Sequence, residues 1–275
     1  MILIMKNEYI NANEKKTRKV LALSEPDIEI WRAGENSLPE FSHTAARIYK
    51  NEYAKRGEKV PDSDAEDIAE EDRRMFARGA VFFVIRPANR KQILGTIRVI
   101  RKKKNLELPI EKEFGVDLAH LPAREIWHAG RLTVDKRVLK LNQMRRSDSF
   151  RVFQVLLALS FYPVYHAPSS ILVAENDEIL MRMFKTLLGL TWSHCGRPRQ
   201  YLGSATHPAY ITNQELNSCS WLRQLNIKVE DSLPRERRIN PETDSGTNLR
   251  RVFRRLTRGN GSREPQFHKE LALAP

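Results

Sequence analysis

Two apolar stretches, AVFFVIR (residues 80–86) and QILGTIRVI (residues 92–100), decide the fold of this chain. Both are rich in Val, Ile and Phe, which favour strands, and the segment that separates them begins with Pro87, a residue typical of turns. The two stretches therefore predict a β-hairpin. The second stretch carries Arg98 among β-branched neighbours, so this arginine must be paired or must line a cleft.

Further strand and helix patterns alternate on both sides of the hairpin. Alternating or continuous apolar residues predict strands at residues 28–33, 125–134 (EIWHAGRLTV) and 170–174 (SILVA). Apolar residues at helical spacing predict helices around residues 41–52, 67–76, 108–114, 150–161 and 177–188. Hairpin pairing combined with helical crossovers predicts an α/β fold with a sheet of mixed direction.

The ends of the last two helices are also predicted. We expect Ser147 or Asp148 to cap the helix at residues 150–161, because short polar side chains satisfy the first free N–H groups of a helix. We expect Asn176 to cap the next helix and Gly189 to end it. Two short extended segments, around residues 191–194 and 201–203, are expected to follow.

The charge balance is strongly basic: 47 Lys and Arg against 34 Asp and Glu give a net charge of +13 in 275 residues. Excess positive charge predicts an anionic partner, which leaves nucleic acid, an acidic protein, a phosphate-bearing ligand and an anionic membrane open. No apolar run reaches the ~18–20 residues of a membrane helix. Cys195 and Cys219 alone imply no disulfide framework, so we expect a reducing cytoplasm.

We expect three regions along the chain: an N-terminal lead-in (residues 1–25), a globular domain (residues 26–230) and a basic tail (residues 231–275). In the tail, apolar residues recur at helical spacing among five arginines of residues 250–258, which predicts a basic amphipathic helix. Such a helix can dock on an acidic protein, an anionic membrane or nucleic acid. It can equally cover the surface of its own domain, and the sequence leaves these two interpretations equal.

A basic segment, DKRVLKLNQMRR (residues 135–146), follows the predicted strand at residues 125–134 and leads to Ser147 at a helix start. We expect this segment to be a loop that holds a phosphate against the positive end of the helix. The alternative is a solvated basic loop, which spacing alone would favour because no glycine-rich phosphate motif is present. The candidate phosphate-binding residues are Lys136, Arg137, Lys140, Arg145, Arg146 and Ser147.

The strand at residues 125–134 carries His128 and Arg131. A histidine on a central strand can take a proton from an incoming amine, and an arginine can bind a carboxylate or a phosphate with two hydrogen bonds. The alternative is a structural ion pair for Arg131 and a core position for His128. With Arg98, two arginines on adjacent strands favour an anion-binding cleft more than one alone would. The scattered His and Cys residues predict no metal site, and no G-x-S-x-G hydrolase motif occurs.

Four local strings, taken together with the order of elements, resemble one family. They are AARIYKNEY (residues 45–53), ILGTIRV (93–99), EIWHAGRLTV (125–134) and LLGLTWSHCGRPRQYLG (187–203). The strings resemble GNAT-like acyltransferases that use acyl carrier protein, namely the acyl-homoserine-lactone (autoinducer) synthases and the N-acyl amino acid synthases. This resemblance implies a GNAT-like mixed central β-sheet flanked by helices, with flexible termini.

The resemblance also implies a reaction. It is the transfer of a fatty acyl group from the thioester of acyl carrier protein or coenzyme A to an amine, such as an amino acid or a homoserine derivative. His128 occupies the place of a glutamate in the family strand and becomes the candidate base. Glu70, Glu71 and Asp72 are candidates for the paired acids that the family has before its hairpin. The candidate catalytic residues that the resemblance implies are Arg98, Glu125, His128 and Arg131.

The implied partners are an acidic acyl carrier protein, whose phosphopantetheine phosphate would lie against residues 135–146, and a small amine acceptor. The resemblance implies no bound cofactor. The sequence lacks a helix-turn-helix, zinc-finger or RNP-type motif, so we expect no specific nucleic acid, and the basic tail would supply any contact with an anionic membrane. Two alternatives remain. One is a GNAT acetyltransferase that uses acetyl-CoA, and the other is a non-enzymatic basic protein that binds nucleic acid.

Overall fold

The two apolar stretches form adjacent antiparallel strands, β2 (Val81–Pro87) and β3 (Gly95–Arg101), so the predicted hairpin is confirmed. Successive side chains of a strand point to opposite faces of a sheet. Phe82 accordingly joins one hydrophobic core and Phe83 joins the other. The sheet therefore has an apolar face on each side, and both faces must be covered.

The structure, a computed structural model, describes residues 28–57, 64–87, 90–220 and 222. The expected lead-in (residues 1–25) and the expected basic tail with its amphipathic helix (residues 231–275) lie outside the described residues.

Within the described residues, eight strands form one sheet in the order β1-β2-β3-β4-β5-β8-β6, and β7 also pairs with β8. The strands besides the hairpin are β1 (Ile28–Arg32), β4 (Glu125–Val134), β5 (Ser170–Asp177), β6 (Ser193–His194), β7 (Arg199–Tyr201) and β8 (Ser204–Thr212). The pair of β4 and β5 is parallel, and every other pair is antiparallel. The prediction of an α/β fold with a sheet of mixed direction is confirmed, and β4 has its predicted bounds.

Helices cover both faces of the sheet. On the face of Phe82 lie α1 (Leu38–Ala54), α2 (Asp64–Ala77) and α3 (Pro109–Phe114). On the face of Phe83 lie α4 (Lys136–Leu141), α5 (Arg146–Tyr165), α6 (Glu178–Leu188) and α7 (Asn213–Ser218). As predicted, Gly189 ends α6, where its positive φ suits the C-terminal turn. None of these helices combines the length and the apolar character that crossing a membrane would require.

The predicted loop at residues 135–146 is wrong, because its first half is the short helix α4. Asp135 begins this helix by accepting hydrogen bonds from the backbone N–H groups of Arg137 (2.9 Å) and Val138 (3.4 Å). Burial of Val138 and Leu139 then anchors α4 against the sheet. An aspartate followed by apolar residues three and four positions later was the available signal of a helix start.

Two predicted helix caps are also wrong. Helix α5 begins at Arg146, with Arg145 as its N-cap, and Ser147 lies inside the first turn. Asp148 contributes from the third position, where its carboxylate accepts a hydrogen bond from the Arg145 backbone N–H at 2.6 Å. At α6 the cap is Asp177, whose carboxylate accepts from the Leu180 N–H at 2.7 Å. Asn176 belongs to β5, which continues three residues beyond the predicted strand end.

Strand β8 was not predicted, since Pro208 interrupts its sequence (SATHPAYIT). Proline lacks an N–H donor and is tolerated in a sheet where that donor is not needed. The carbonyl of Pro208 accepts a hydrogen bond from the Cys195 N–H, so the missing donor faces the side of the short strands β6 and β7. On the other side β8 pairs with β5 over seven residues, from Thr206 to Thr212.

Candidate functional site

The parallel strands β4 and β5 separate halfway along β4. Their pairing runs from Glu125 opposite Ser170 to Ala129 opposite Ala174. Beyond that point, β4 remains paired with β3, and β5 remains paired with β8. A cleft therefore opens inside the sheet, and its walls are backbone segments that lack a strand partner on the cleft side.

A β-bulge lies at the point of separation. Thr96 pairs with Thr133 and Arg98 with Gly130, so three residues of β4 span a step that takes two residues of β3. Arg131, within the bulge, has a φ of 60°, a left-handed conformation that is rare for a residue with a side chain. The Thr96 hydroxyl donates a hydrogen bond to the Arg131 carbonyl at 2.7 Å and holds this backbone in place. A bulge bends its strand, and this one turns β4 where it parts from β5.

Three cavities meet at the cleft. The central cavity, about 120 Å³, lies between the separating strands and is lined by Gly130, Arg131 and Glu175 among others. A second cavity of about 750 Å³ lies among α1, α4, α5 and α6 and shares Tyr49 and Leu132 with the central one. We call it the cationic cavity because Arg56, Lys136, Lys140 and Arg145 outnumber the acids Glu52 and Asp177 among its lining residues.

The third cavity, about 690 Å³, lies on the opposite side of the central cavity, against α2, α3 and β7. We call it the α2-side cavity. Arg131, Tyr201 and Leu202 line both it and the central cavity. Burial raises the pKa of the Tyr201 phenol far above its usual value, so its hydroxyl stays protonated at this shared wall. Two molecules that enter from opposite sides would meet here.

Two buried arginines and two acids of α2 form an ion network beneath the central cavity. Arg98 donates to Glu71 at 2.6 Å and to Asp72 at 2.8 Å. Arg131 donates to Glu71 at 2.9 Å and to Asp72 at 3.1 Å. Ser42 completes the shell with a hydrogen bond of 2.8 Å to the other oxygen of Asp72. Two positive and two negative charges are thus balanced inside the protein.

The electrostatics of this network follow from its geometry. Burial alone would raise the pKa of Glu71, but the guanidinium groups of Arg131 and Arg98 outweigh that effect and hold the pKa at about 2. Glu71 is therefore ionised at neutral pH. Because both arginines are neutralised by α2, the charge of Arg131 is already balanced where its side chain reaches the cavities.

A second polar pair lies at the base of the cleft. His128 on β4 is fully buried, and its Nε2 atom lies 2.9 Å and 3.0 Å from the two carboxylate oxygens of Glu175 on β5. An ionised carboxylate only accepts hydrogen bonds, so Nε2 carries the proton. The other ring nitrogen, Nδ1, is buried and has no hydrogen-bond partner among the described residues. Glu175 lines the central cavity, and His128 lies behind it.

The architecture has counterparts among solved structures. FeeM, an N-acyl amino acid synthase from uncultured soil microbes, superposes with a TM-score of 0.51 at 17% sequence identity, over 72% of this chain and 98% of that chain. The chain has a GNAT-like fold. No protein-family model matches the sequence, and no curated protein matches it.

Two other structures with the GNAT-like fold are less similar. The acyl-homoserine-lactone synthase LasI gives a TM-score of 0.43 at 18% identity, over 69% of this chain and 91% of that chain. A GNAT-family acetyltransferase from Staphylococcus aureus Mu50 gives 0.42 at 16% identity, over 66% of this chain and 97% of that chain.

The GNAT-like fold brings three of the four candidate catalytic residues together. Arg98 and Arg131 share the ion network, and Gly130 lies so close between Arg98 and His128 that an added Cβ would be 3.0 Å from one and 3.2 Å from the other. Glu125 lies elsewhere. It stands six residues before Arg131, roughly 20 Å along the strand at 3.3 Å per residue, and pairs with Arg101 at 2.8 Å.

Only some of the candidate phosphate-binding residues line the cationic cavity. Three of them, Lys136, Lys140 and Arg145, line the cationic cavity. Arg137 is exposed and Ser147 lies in the first turn of α5; neither lines the cavity, and the side chain of Arg146 lies outside the described residues. Since Ser149 and Phe150 also line the cavity, the N-terminal end of α5 faces it.

Sequence reasoning missed two residues that the fold brings to the cleft. Glu175 follows the predicted strand end and had no predicted role, and Asn176 was predicted to cap a helix, yet both line the central cavity from β5. The amide Nδ2 of Asn176 is buried without a hydrogen-bond partner among the described residues. A signal was present, because two polar residues directly after the apolar run SILVA are typical of a strand that enters a site.

Proposed function

We propose that this protein is an N-acyltransferase that moves a fatty acyl group from a thioester to an amine and forms an amide. The observation that carries the proposal is the cleft between β4 and β5, which joins a cationic cavity on one side to a second polar cavity on the other. This arrangement suits a thioester and an amine, since both can be held next to each other at the reaction centre.

The cationic cavity fits the donor. A phosphopantetheine arm, the carrier of the thioester in acyl carrier protein and coenzyme A, is long, thin and ends in a phosphate. Lys140 and Arg145 provide positive charge at the lining, and the N-terminal end of α5 adds free N–H groups that favour a phosphate. Apolar residues of the same cavity, including Leu139, Phe153 and Met183, offer a surface for the acyl chain.

The chemistry follows from the cleft itself. Backbone N–H groups of β4 that lack a strand partner can donate to the thioester carbonyl and stabilise the negative charge that develops on its oxygen. The amine must be neutral in order to attack, so a group near the central cavity must take its proton. The α2-side cavity, which shares Arg131 and Tyr201 with the central one, would hold the acceptor.

The direct test combines purified full-length protein with acyl-carrier protein thioesters or acyl-CoA of several chain lengths and with a panel of amino acids and homoserine derivatives. Mass spectrometry is expected to detect an amide that requires the protein, the thioester and the amine. The carrier-protein and CoA arms distinguish the two donor sources. Absence of any amide across the panel would contradict the proposal.

The donor side makes a separate prediction. Lys140→Glu and Arg145→Glu place negative charge in the cationic cavity, so each is expected to raise the KM for acyl carrier protein about tenfold, the effect of roughly 1.4 kcal/mol, with little change in kcat. Lys104→Glu is the matched control, because Lys104 lies in a different surface pocket after β3. Equal effects of all three reversals would mean that the cationic cavity is not the donor site.

A further inference from the structure

Glu175 lines the central cavity, and among the described residues no arginine or lysine pairs with its carboxylate. Of the two acids that line the central cavity, Asp177 already caps α6 and pairs with Arg56 at 3.2 Å. Glu71 and Asp72, which lie beneath the cavity, are neutralised by the two arginines. Among the described residues, Glu175 has one side-chain partner for its carboxylate, the neighbouring His128.

We propose that Glu175 is the base that takes the proton from the acceptor amine and that His128 is the residue that positions it; this inference rests on the proposed acyl transfer. Glu175 is 8% exposed and lines the central cavity, whereas His128 is fully buried behind it. The amine therefore reaches the carboxylate before it could reach the imidazole.

The hydrogen bonding assigns the two roles in the same way. Nε2 of His128 donates its proton to Glu175, so that nitrogen has no lone pair with which to accept a proton from an amine. Nδ1 keeps its lone pair, but it is buried and has no hydrogen-bond partner among the described residues. A proton placed on Nδ1 would have no hydrogen-bond acceptor among the described residues, and a buried N–H group without an acceptor carries an energetic cost. His128 is suited to holding the carboxylate and not to accepting the proton itself.

Two further titratable side chains, Cys195 and Tyr201, interact electrostatically with Glu175. Burial, and after it the negative charge of Glu175, raises the pKa of Cys195 to about 11, so this thiol stays neutral. The phenol of Tyr201 also stays protonated, with burial as the largest cause. Among the described residues, His128 from β4 also contacts the carboxylate. None of these neighbours competes for the role of base at neutral pH.

The step is balanced as follows. The Glu175 carboxylate accepts one proton from the acceptor ammonium, and the freed nitrogen lone pair forms a bond to the thioester carbonyl carbon. As the carbon–sulfur bond breaks, its electron pair leaves with sulfur, and a second N–H proton passes to the thiolate to give the thiol. Glu175 then releases its proton to water, so the products are an amide, a thiol and one proton.

The decisive variant is Glu175→Gln, assayed at pH 7 with two acceptors. With the amino acid or other alkylamine that the wild type uses, kcat/KM is expected to fall at least about 100-fold, the usual contribution of a general base. With hydroxylamine, which is already neutral at pH 7, the loss is expected to stay below about threefold because no proton has to be removed before attack. Glu178→Gln is the matched control, since Glu178 is an exposed carboxylate on α6 that pairs with Arg182.

The positioning role is tested with a pair of variants. His128→Gln keeps an N–H donor for Glu175, whereas His128→Leu removes it. We expect the leucine variant to lose alkylamine transfer but to keep transfer to hydroxylamine, and the glutamine variant to recover part of the loss. A merely structural role of His128 would lower both activities equally.

Each outcome has one meaning. A wild-type protein that forms no amide with any acceptor contradicts the proposed acyl transfer itself. A Glu175→Gln protein that is as active as the wild type, or that loses equal activity with both acceptors, contradicts this inference and leaves acyl transfer standing. Circular dichroism checks the fold of each variant. If Glu175→Gln does not fold, the same two acceptors are compared in Glu175→Asp, whose carboxylate is drawn back by one methylene. A ratio of the alkylamine rate to the hydroxylamine rate that equals the wild-type ratio also contradicts the inference.

Discussion

At the scale of single residues, four buried charged groups form one network, namely Arg98, Arg131, Glu71 and Asp72. The pKa of Glu71 falls from its usual 4.5 to about 2 in the folded protein. A lowered pKa means that the folded state favours the ionised form, so its contribution is complete above pH 4.5 and disappears as the pH falls towards 2. The contribution at neutral pH is about 3 kcal/mol, given 1.36 kcal/mol per pKa unit.

Replacing this carboxylate tests that value. Glu71→Gln is expected to lower the free energy of unfolding at pH 7 by about 3 kcal/mol, because it leaves two buried guanidinium groups with one carboxylate. Urea denaturation measures the change, and the difference between variant and wild type should shrink below pH 4.5. The control is Glu40→Gln, which removes an exposed partner of Arg86 and should change stability by less than about 1 kcal/mol. A loss that stays the same down to pH 2 would contradict the assignment.

The sequence predicted that the arginines of this network are paired or line a cleft, but it did not identify their acidic partners. An arginine among β-branched residues must be paired or must line a cleft, and Arg98 does both. Arg131 belongs to the same network. Its acidic partners lie about 60 positions earlier in the chain, so only the packing of α2 against the sheet identifies them. For the same reason Glu175 was not recognised, since its contact with His128 spans 47 positions between two different strands.

At the scale of elements, periodicity predicted well where one pattern ran without interruption. The bounds of β4, the hairpin of β2 and β3 and the end of α6 at Gly189 follow from local sequence. Prediction failed where the charge pattern or a proline masked the element. Helix α4 is basic on its exposed side, and β8 contains Pro208, so both resembled loops.

The packing of α5 on the sheet makes an element-scale prediction. A Cβ at Gly95, on β3, would lie 2.9 Å from Leu156 and 3.0 Å from Val152 of α5, and 3.1 Å from the backbone carbonyl of Thr133. Gly95→Ala is therefore expected to destabilise the protein by about 1–3 kcal/mol, the usual effect of overpacking a core. Urea denaturation provides the measurement.

A double variant identifies the cause of that loss. In a Leu156→Ala background the closest clash is removed, so the added effect of Gly95→Ala should be smaller than in the wild type. An unchanged effect in the double variant would mean that the neighbouring carbonyl, and not the helix side chain, limits the approach.

At the scale of the whole molecule, part of the positive charge behind the net value of +13 is concentrated at one place. Lys136, Lys140 and Arg145 gather at one cavity, on the side from which a donor would arrive. If the donor is an acidic carrier protein, kcat/KM should fall as salt is raised from 10 to 300 mM, concentrations over which the screening length shortens from roughly 30 Å to below 8 Å. A neutral N-acetylcysteamine thioester is the control, and its kcat/KM should vary little. Equal salt dependence of both donors would contradict electrostatic steering.

The separation of β4 from β5 has one more consequence, for the exchange of backbone hydrogens with solvent. A sheet that opens in its middle has an interior edge, and exposed edges normally pair with any extended chain that reaches them. Here α1 and α5 pack against β4 from the two faces of the sheet, so helices flank this interior edge. We therefore expect the cleft-facing amides of β4 to exchange with water in the empty protein and to become protected when a thioester donor is added, which hydrogen exchange would measure.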